Sequence, residues 1–320
     1  RVATAGSCFA QHVAKALVKS GLTYYVAEPA PDGMDKETAD ARGYGLFSAR
    51  YGNIYSTRQL RQLVDRAYGR FTPIETAWRV KDGYIDPFRP NIGETFASVA
   101  AVETARETHM AHVRQMLETL DVFVFTLGLT EGWFDRRDGA AFPVTPGSVT
   151  SAANPANFEF RNLGYAEVKD DLLAFLAALK TINPKAKVIF TVSPVPLIAT
   201  YSETDALSAT CYSKSVLRAA AEDVSRQFHN VQYFPSFEII TGAYNRGAYF
   251  APDLRQVTPD GVAHVMRVFL KRLVRGSAST GDDAPLAAGE VHTARMNEMI
   301  EELSEQKAII CDEELHEKDR

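Results

Sequence analysis

Cysteine is scarce in this chain: its 320 residues include three, Cys8, Cys211 and Cys311. Their number is odd and their spacing matches no metal-ligand motif, which argues against a disulfide framework and against a zinc site. We therefore expect a cytoplasmic protein without a metal. The chain begins at Arg1 rather than at methionine, so we expect that an N-terminal segment has been clipped. The remaining residues do not say whether that segment carried a targeting signal.

A basic excess and long apolar runs are missing as well. Lys and Arg number 35 against 40 Asp and Glu, which gives a net charge of -5. Because no surplus of cations exists to neutralise phosphates, we expect no nucleic-acid partner. No apolar run approaches the roughly 20 residues of a membrane-spanning helix, so we expect no transmembrane segment. With 46% hydrophobic residues, the composition is that of a globular protein with a full core.

Strand-like and helix-like patterns alternate along the chain. Apolar runs typical of strands buried on both faces include "VFVFTL" and "KVIFTV", and long amphipathic helices separate them. A further strand is predicted in "LTYYVAE", from Leu22 to Glu28. The alternation predicts a doubly wound α/β sandwich, a parallel sheet with a layer of helices on each face. An irregular insert with one clear helix, "STRQLRQLVDRAYG", follows the second strand up to about residue 95.

The composition changes near the C-terminus. Residues 1–275 are predicted to form the α/β domain, and from Gly276 the sequence "GSASTGDDAPLAAGE" is typical of a linker. Residues 276–320 are therefore predicted to be a linker and a polar, partly helical tail. The tail carries a weak apolar stripe that suits docking or self-association: Met296, Met299, Ile300 and Leu303.

In an open parallel sheet, ligands bind beyond the carboxyl ends of the strands. The loops predicted to meet there are "GSC", "GLTEGW", "SPVP", "PSFE" and "YFAPDLRQVTPDG". In the first of them, Ser7 lies at the head of a helix, where free N–H groups favour developing negative charge. A serine there can attack a carbonyl while its own N–H helps to hold the oxyanion. Serine is also a common N-cap, so a purely structural role stays open.

The other loops offer donors, a base and a carboxylate. Gly128 lets a ligand approach the backbone, and Thr130 or Glu131 is a candidate oxyanion donor or orienting carboxylate. Ordinary turn chemistry explains these residues equally well. His264 and Asp253 are candidates for a base and its orienting partner.

Two further patterns are weaker. Gly52 and Asn53 offer a backbone N–H and a side-chain amide, although this pair is also common in turns. Cys8 is an alternative nucleophile, because thiols at helix N-termini are activated, but a small packing residue is the simpler interpretation. His109 and His112 have a helical spacing that suits a metal but no accompanying ligand pattern.

The ordered motifs resemble a known family. "AGSCFAQHVAKAL" resembles the signature of the GSCFA family, which is itself similar to SGNH/GDSL-like hydrolases. The later blocks "YGNIYSTRQL", "TLGLTEGW", "TVSPVPL", "SKSVLRAA" and "YFAPDLRQVTPDGVAHV" follow in order, so the resemblance runs from Arg1 to about Leu273. It implies a flavodoxin-like fold with one site at the strand ends, in which Ser7 is the nucleophile. It also implies oxyanion donors at Ser7, at Gly52 or Asn53, and at Gly128 and Thr130.

The sequence departs from the SGNH pattern at three positions. Gly6 precedes the serine where that pattern has Asp, and Thr130 replaces an Asn amide. Gln256 stands where the histidine of Asp-x-x-His should follow Asp253, and glutamine cannot accept a proton from serine. Either His264 reaches the site from one to two helical turns further on, or the site binds an acyl group or a sugar without fast hydrolysis.

The leading hypothesis is a serine-dependent acyl-ester hydrolase or acyltransferase. Its substrate would be an O-acylated carbohydrate or a similar small ester. The resemblance suggests a place in bacterial polysaccharide or envelope metabolism. Such an enzyme needs no cofactor, although acyl-CoA is a possible donor for a transferase. The alternative is a non-catalytic ligand- or acyl-binding protein on the same scaffold, which Gln256 favours.

Overall fold

The computed structural model describes residues 1–19, 24–151 and 153–278. The strands are β1 (Val2–Gly6), β2 (Trp78–Val80), β3 (Gly83–Ile85), β4 (Val122–Leu127), β5 (Glu131–Asp135), β6 (Ala141–Phe142), β7 (Phe158–Asn162), β8 (Lys187–Val192) and β9 (Val231–Phe234). The α-helices are α1 (Ala10–Lys19), α2 (Lys36–Ala41), α3 (Thr57–Ala67), α4 (Val99–Thr119), α5 (Pro146–Val149), α6 (Tyr165–Ile182), α7 (Ala206–Ser225), α8 (Ser236–Thr241) and α9 (Pro259–Ala278).

The central sheet of the described residues has four parallel strands in the order β1-β4-β8-β9. Along β4, Phe123 and Phe125 pack with α3, α4, α6 and α7 on one face, whereas Val124 packs with α1, α8 and α9 on the other. This alternation follows from the two-residue period of a strand. The predicted α/β architecture, with helices on both faces of a parallel sheet, is therefore confirmed.

The second predicted strand is reduced to a single bridge. In the described part of "LTYYVAE", Tyr24 pairs in parallel with Val2, and the Tyr25 N–H donates to the Val2 carbonyl at 2.9 Å. Leu22 and Thr23 lie outside the described residues. The prediction of a strand through Glu28 is wrong for residues 25–28, because this segment turns to pair its backbone with Ser48 of the insert instead.

The insert is more ordered than the sequence predicts. Besides α2 and α3, it contains the hairpin of β2 and β3, and a second insert after β4 forms the antiparallel sheet β6-β5-β7. The two inserts share an aromatic core. In it, the ring centre of Phe142 lies 5.0 Å from that of Trp78 and 5.3 Å from that of Phe88. This second sheet was missed by the sequence analysis. It lies near the carboxyl end of β4, where its aromatic side chains line a cavity together with Leu129.

Most of the predicted C-terminal linker and tail lies outside the described residues. Helix α9 continues to Ala278, past the predicted start of the linker at Gly276. The apolar stripe of the tail, Met296, Met299, Ile300 and Leu303, and Cys311 lie outside the described residues. Between residues 1 and 278, as far as they are described, no helix is long and apolar enough to cross a membrane.

A buried cluster of Glu28, Arg50 and His109 joins the insert to α4. Glu28 accepts hydrogen bonds from the Arg50 backbone N–H at 2.7 Å and from His109 Nδ1 at 2.6 Å. Burial alone would raise the pKa of Glu28, but these bonds, the charge of His109 when it is protonated and the charge of Arg89 lower it to about 2. Burial, and then the charge of Arg89, lowers the pKa of His109 to about 4 despite its bond to Glu28. At neutral pH the carboxylate is therefore ionised and the imidazole neutral.

We predict that acid destabilises the protein through His109. Its pKa falls from 6.5 when unfolded to about 4 when folded, so the unfolded chain binds the proton first. The stabilisation is complete above pH 6.5 and is lost as the pH falls toward 4, by on the order of 3 kcal/mol. Urea unfolding of the wild type and of His109→Gln across this window measures the difference. His12, whose pKa burial also lowers, stays in both proteins as an internal reference. Equal slopes in the two proteins would contradict the role of His109.

Candidate functional site

The end of β1 can be occupied only by glycine. Gly6 has a φ of 141°, and a Cβ on it would lie 2.4 Å from the Thr126 carbonyl oxygen of β4. Immediately after it, the Ser7 N–H donates to the same carbonyl at 3.1 Å, and the Ser7 carbonyl accepts from the Ala10 N–H at 2.8 Å. The second bond begins α1. Gly6 therefore lets the chain turn from strand to helix in contact with β4.

The Ser7 side chain is buried and unsatisfied. Its residue is 2% exposed, and its Oγ has no hydrogen-bond partner among the described residues. An N-cap serine would accept a bond from the first turn of its helix, and this one does not. A buried hydroxyl without a partner costs about 1–3 kcal/mol, and Ser225 Oγ is another such group among the described residues. The geometry therefore argues against a capping role, and the place of Ser7 at the strand ends makes it a candidate for a functional one.

Ser7 lines a small cavity at the carboxyl ends of the strands, which we call the Ser7 cavity. Its walls come from loops after three strands, from the segments before α3 and α9, and from α7: Ser7, Cys8, Tyr55, Gly128, Leu129, Ser193, Val195, Pro196, Leu197, Lys214 and Arg255. Loops "GSC", "GLTEGW", "SPVP" and the one before α9 meet here as predicted from the strand-end rule. Cys8, which is also buried, faces the same cavity.

Lys214 was missed by the sequence analysis. It lies on α7, is 3% exposed, and its Nζ donates to the Gly128 carbonyl at 2.6 Å. A Cβ on Gly128 would be 3.0 Å from the Ser7 Cβ, so Gly128 is next to the serine and, through its carbonyl, is bonded to the lysine. The available signal was periodicity: Lys214 shares the buried stripe of α7 with Leu217 and Ala221. A lysine in an apolar stripe needs a polar partner.

Arg255 was also missed, although its neighbours were named. The Asp253 carboxylate accepts the N–H groups of Arg255 and Gln256, each at 3.0 Å, and these bonds lower the Asp253 pKa. Leu254 takes a left-handed φ of 55°, and the Ala251 N–H closes the turn on the Gln256 carbonyl at 2.8 Å. The turn carries Arg255 to the Ser7 cavity, whereas Asp253 and Gln256 are exposed. Asp253 braces this turn.

His264 lies apart from the Ser7 cavity. It is on α9, and its Nδ1 is 2.8 Å from the Tyr249 hydroxyl. Burial, with a smaller effect of the Arg267 charge, lowers its pKa. Among the described residues, no histidine lines the Ser7 cavity. The role of His264 as a base therefore stays a prediction from the sequence.

The donors predicted after β4 are held by neighbours. The Gly128 N–H donates to the Tyr55 carbonyl at 2.9 Å. Thr130 donates its N–H to Ser213 Oγ at 2.9 Å and its hydroxyl to Asn162 Oδ1 at 2.6 Å. These bonds fix the loop against α7 and β7.

Glu131, Gly52 and Asn53 do not line the Ser7 cavity. Glu131 accepts hydrogen bonds from Thr200 at 2.5 Å and Ser202 at 3.1 Å. Gly52, with a φ of 69°, and Asn53 line a separate cavity beside Arg89. Asn53 Oδ1 accepts from Gln11 Nε2 at 3.3 Å, which places this segment beside the first turns of α1.

The Ser7 cavity thus combines a hydroxyl, an amine and a guanidinium. A hydroxyl is a nucleophile once its proton is removed, an amine can accept that proton, and a guanidinium stabilises a developing oxyanion. No group of three or more His, Cys, Asp or Glu residues in the described part of the chain could hold a metal ion.

Comparison with known families agrees with the motifs. The model of the GSCFA family matches residues 1–269, which include the whole central sheet and most of α9. The chain therefore belongs to the GSCFA family. No curated protein matches the sequence.

We predict that Gly6→Ala removes the site by preventing the contact of β1 with β4. The added methyl would collide with the Thr126 backbone, and we expect a loss of at least about 3 kcal/mol in the free energy of unfolding. Gly139→Ala is the matched control, since Gly139 has a φ of 75° but open space around its Cβ. It should cost only the left-handed backbone term of about 1–2 kcal/mol. Equal losses in urea unfolding would show that φ alone, and not the contact, requires Gly6.

Proposed function

We propose that this member of the GSCFA family is a serine-dependent acyl-ester hydrolase or acyltransferase that acts on an O-acylated carbohydrate or a similar small ester. The observation that carries the proposal is the buried, unpartnered Ser7 Oγ in a cavity that also contains Lys214 and Arg255. The resemblance of the motifs to SGNH hydrolases, in which a serine of the first block attacks the substrate, supports the same residue.

The first half of the reaction forms an acyl-enzyme. Ser7 Oγ attacks the ester carbonyl carbon while the amine of Lys214 takes the hydroxyl proton, a step that requires Lys214 to be deprotonated. Arg255 stabilises the oxyanion, because a guanidinium stays charged and cannot serve as the base. The bond from the carbonyl carbon to the alcohol oxygen then breaks. Lys214 returns the proton to that oxygen, and the alcohol leaves.

The second half decides between hydrolase and transferase. Water or a sugar hydroxyl attacks the acyl-Ser7 carbonyl, Lys214 takes its proton, and Ser7 leaves with that proton restored. Attack by water gives a carboxylic acid, and attack by a sugar hydroxyl gives a new ester. An acyl-CoA thioester would serve as donor in the transferase. A place in bacterial polysaccharide or envelope metabolism rests on the family resemblance.

A non-catalytic binding protein is the second candidate. It is favoured by two cationic side chains, Lys214 and Arg255, in a cavity that no described histidine lines. Such a pair would hold the carboxylate of a ligand by charge-assisted hydrogen bonds. The two candidates differ in whether Ser7 forms a covalent bond.

We predict that a fluorophosphonate labels Ser7 in the folded wild-type protein. Mass spectrometry should place the label on the peptide that contains Ser7, and Ser7→Ala should abolish it. Ser225→Ala is the matched control, because its Oγ is also buried without a partner among the described residues but lies at the far end of α7. It should be labelled like the wild type. An unlabelled wild type that unfolds cooperatively would favour the binding protein.

We predict that the base is Lys214. Lys214→Met and Lys214→Arg should each slow the labelling of Ser7 by about 100-fold or more, since neither side chain accepts a proton at neutral pH. The arginine variant keeps the charge and a donor toward the Gly128 carbonyl. Labelling of this variant at the wild-type rate would therefore indicate that Lys214 anchors the loop instead. His264→Ala should change the rate by less than about threefold. Loss of labelling in His264→Ala alone would make His264 the base. In the wild type, the labelling rate should rise with pH as Lys214 loses its proton. Both lysine variants should lack this rise.

A further inference from the structure

We propose that a second cavity beside Ser7 binds an apolar acyl chain of medium length, the acyl group of the ester substrate. This inference rests on the function proposed for Ser7 and specifies its substrate. The second cavity, which we call the aromatic cavity, has a volume of about 320 Å³. It shares Tyr55, Leu129 and Leu197 with the Ser7 cavity, so the two cavities adjoin at these side chains. A chain attached to a carbonyl at Ser7 would have to pass only these three residues to enter it.

The wall of the aromatic cavity is built from the second sheet. Trp133 of β5 lies edge-on to Tyr201, with ring centres 5.1 Å apart, and Phe160 of β7 lies 6.2 Å from Trp133 and 5.8 Å from Tyr201. Leu197, Ile198 and Tyr201 of the loop after β8 complete the wall. Ligand cavities of about this size, lined mainly by apolar and aromatic side chains, bury most of the surface of a small ligand.

Apart from the Trp133 indole N–H, which has no partner among the described residues, most polar side chains of the aromatic cavity are bonded to the protein. Glu131 Oε1 accepts bonds from Thr200 and Ser202. Thr145 Oγ1 lies 3.0 Å from the Tyr201 hydroxyl, and Ser148 Oγ donates to the Thr145 carbonyl at 2.7 Å. A sugar ring would need several partners for its hydroxyls on burial, whereas an alkyl chain needs none. The wall therefore fits an alkyl chain better than a sugar.

The basic side chains of the Ser7 cavity also suit a ligand with an alkyl chain and a carboxylate. A carboxylate is the product of ester hydrolysis, and its head group would lie in the Ser7 cavity beside Lys214 and Arg255. Its chain would then pass Leu129 and Leu197 into the aromatic cavity. The Ser7 cavity, with a volume of about 20 Å³, offers two basic side chains for the head group, and the aromatic cavity offers an apolar wall for the chain, so we expect a fatty acid to bind without turnover.

Decanoate binding to the Ser7→Ala protein tests the inference by tryptophan fluorescence. The chain contains two tryptophans, of which Trp133 lines the aromatic cavity and Trp78 is 2% exposed in the insert core. We expect a saturable change in emission with decanoate and an apparent affinity for acetate at least about 100-fold weaker, since acetate lacks the buried methylenes. Glucose should cause no change. If the wild-type protein hydrolyses esters, its kcat/KM should be higher for p-nitrophenyl octanoate than for p-nitrophenyl acetate.

Tyr201→Ala and Tyr244→Ala are matched variants for this titration. Both tyrosines are largely exposed and hydrogen-bonded through their hydroxyls, but only Tyr201 lines the aromatic cavity. We expect Tyr201→Ala to weaken decanoate binding by about tenfold and Tyr244→Ala to leave it unchanged. If decanoate binds but no fluorophosphonate labels Ser7, the proposed acyl site is supported and the proposed catalysis by Ser7 is contradicted. Equal affinity for decanoate and acetate, or a response to glucose alone, would overturn the acyl site even if Ser7 is labelled.

Discussion

Where β1 ends, its backbone lies so close to Thr126 of β4 that no side chain fits between the two strands. The same close approach recurs at Gly128, whose missing Cβ leaves room for Ser7. Two glycines at the ends of adjacent strands, Gly6 in β1 and Gly128 just after β4, thus let the head of α1, the loop after β4 and the buried face of α7 meet around one hydroxyl. Ser7, Lys214 and the loop that carries Arg255 all depend on that contact. The insert adds to it through Tyr55, whose carbonyl receives the N–H groups of Gly128 and Leu129 at 2.9 and 3.1 Å.

The sequence predicts the central layers well because their signals are local. Apolar runs such as that of β4 belong to strands buried on both faces, and amphipathic helices belong to the outer layers. The second sheet has no such signal. Its strands are two to five residues long, and Gly132 and several charged residues interrupt their pattern. Their pairing is decided by packing between the two inserts, through contacts between Trp78 and Phe142 that are far apart in sequence.

The residues of the candidate site also differ in how local their sequence signals are. Ser7 could be predicted, because the strand-to-helix turn that carries it is encoded in ten consecutive residues. Arg255 does not, because its direction depends on Leu254 adopting a left-handed conformation that leucine rarely takes, with Asp253 holding the turn. Lys214 was visible only as a break in an apolar stripe, and its meaning depends on Gly128, which lies 86 residues away. A motif search that expects histidine after Asp253 cannot find a lysine on another helix.

The unpartnered Ser7 hydroxyl places stability and function in opposition at a single atom. Selection for a stable fold alone would favour alanine at this position, since a methyl group needs no hydrogen bond in a buried site. A ligand that offers a partner to this oxygen gains a hydrogen bond without displacing one that the protein makes. The folded protein is thus most stable when its cavity is occupied, and occupancy at Ser7 should contribute to the persistence of the protein as well as to its chemistry.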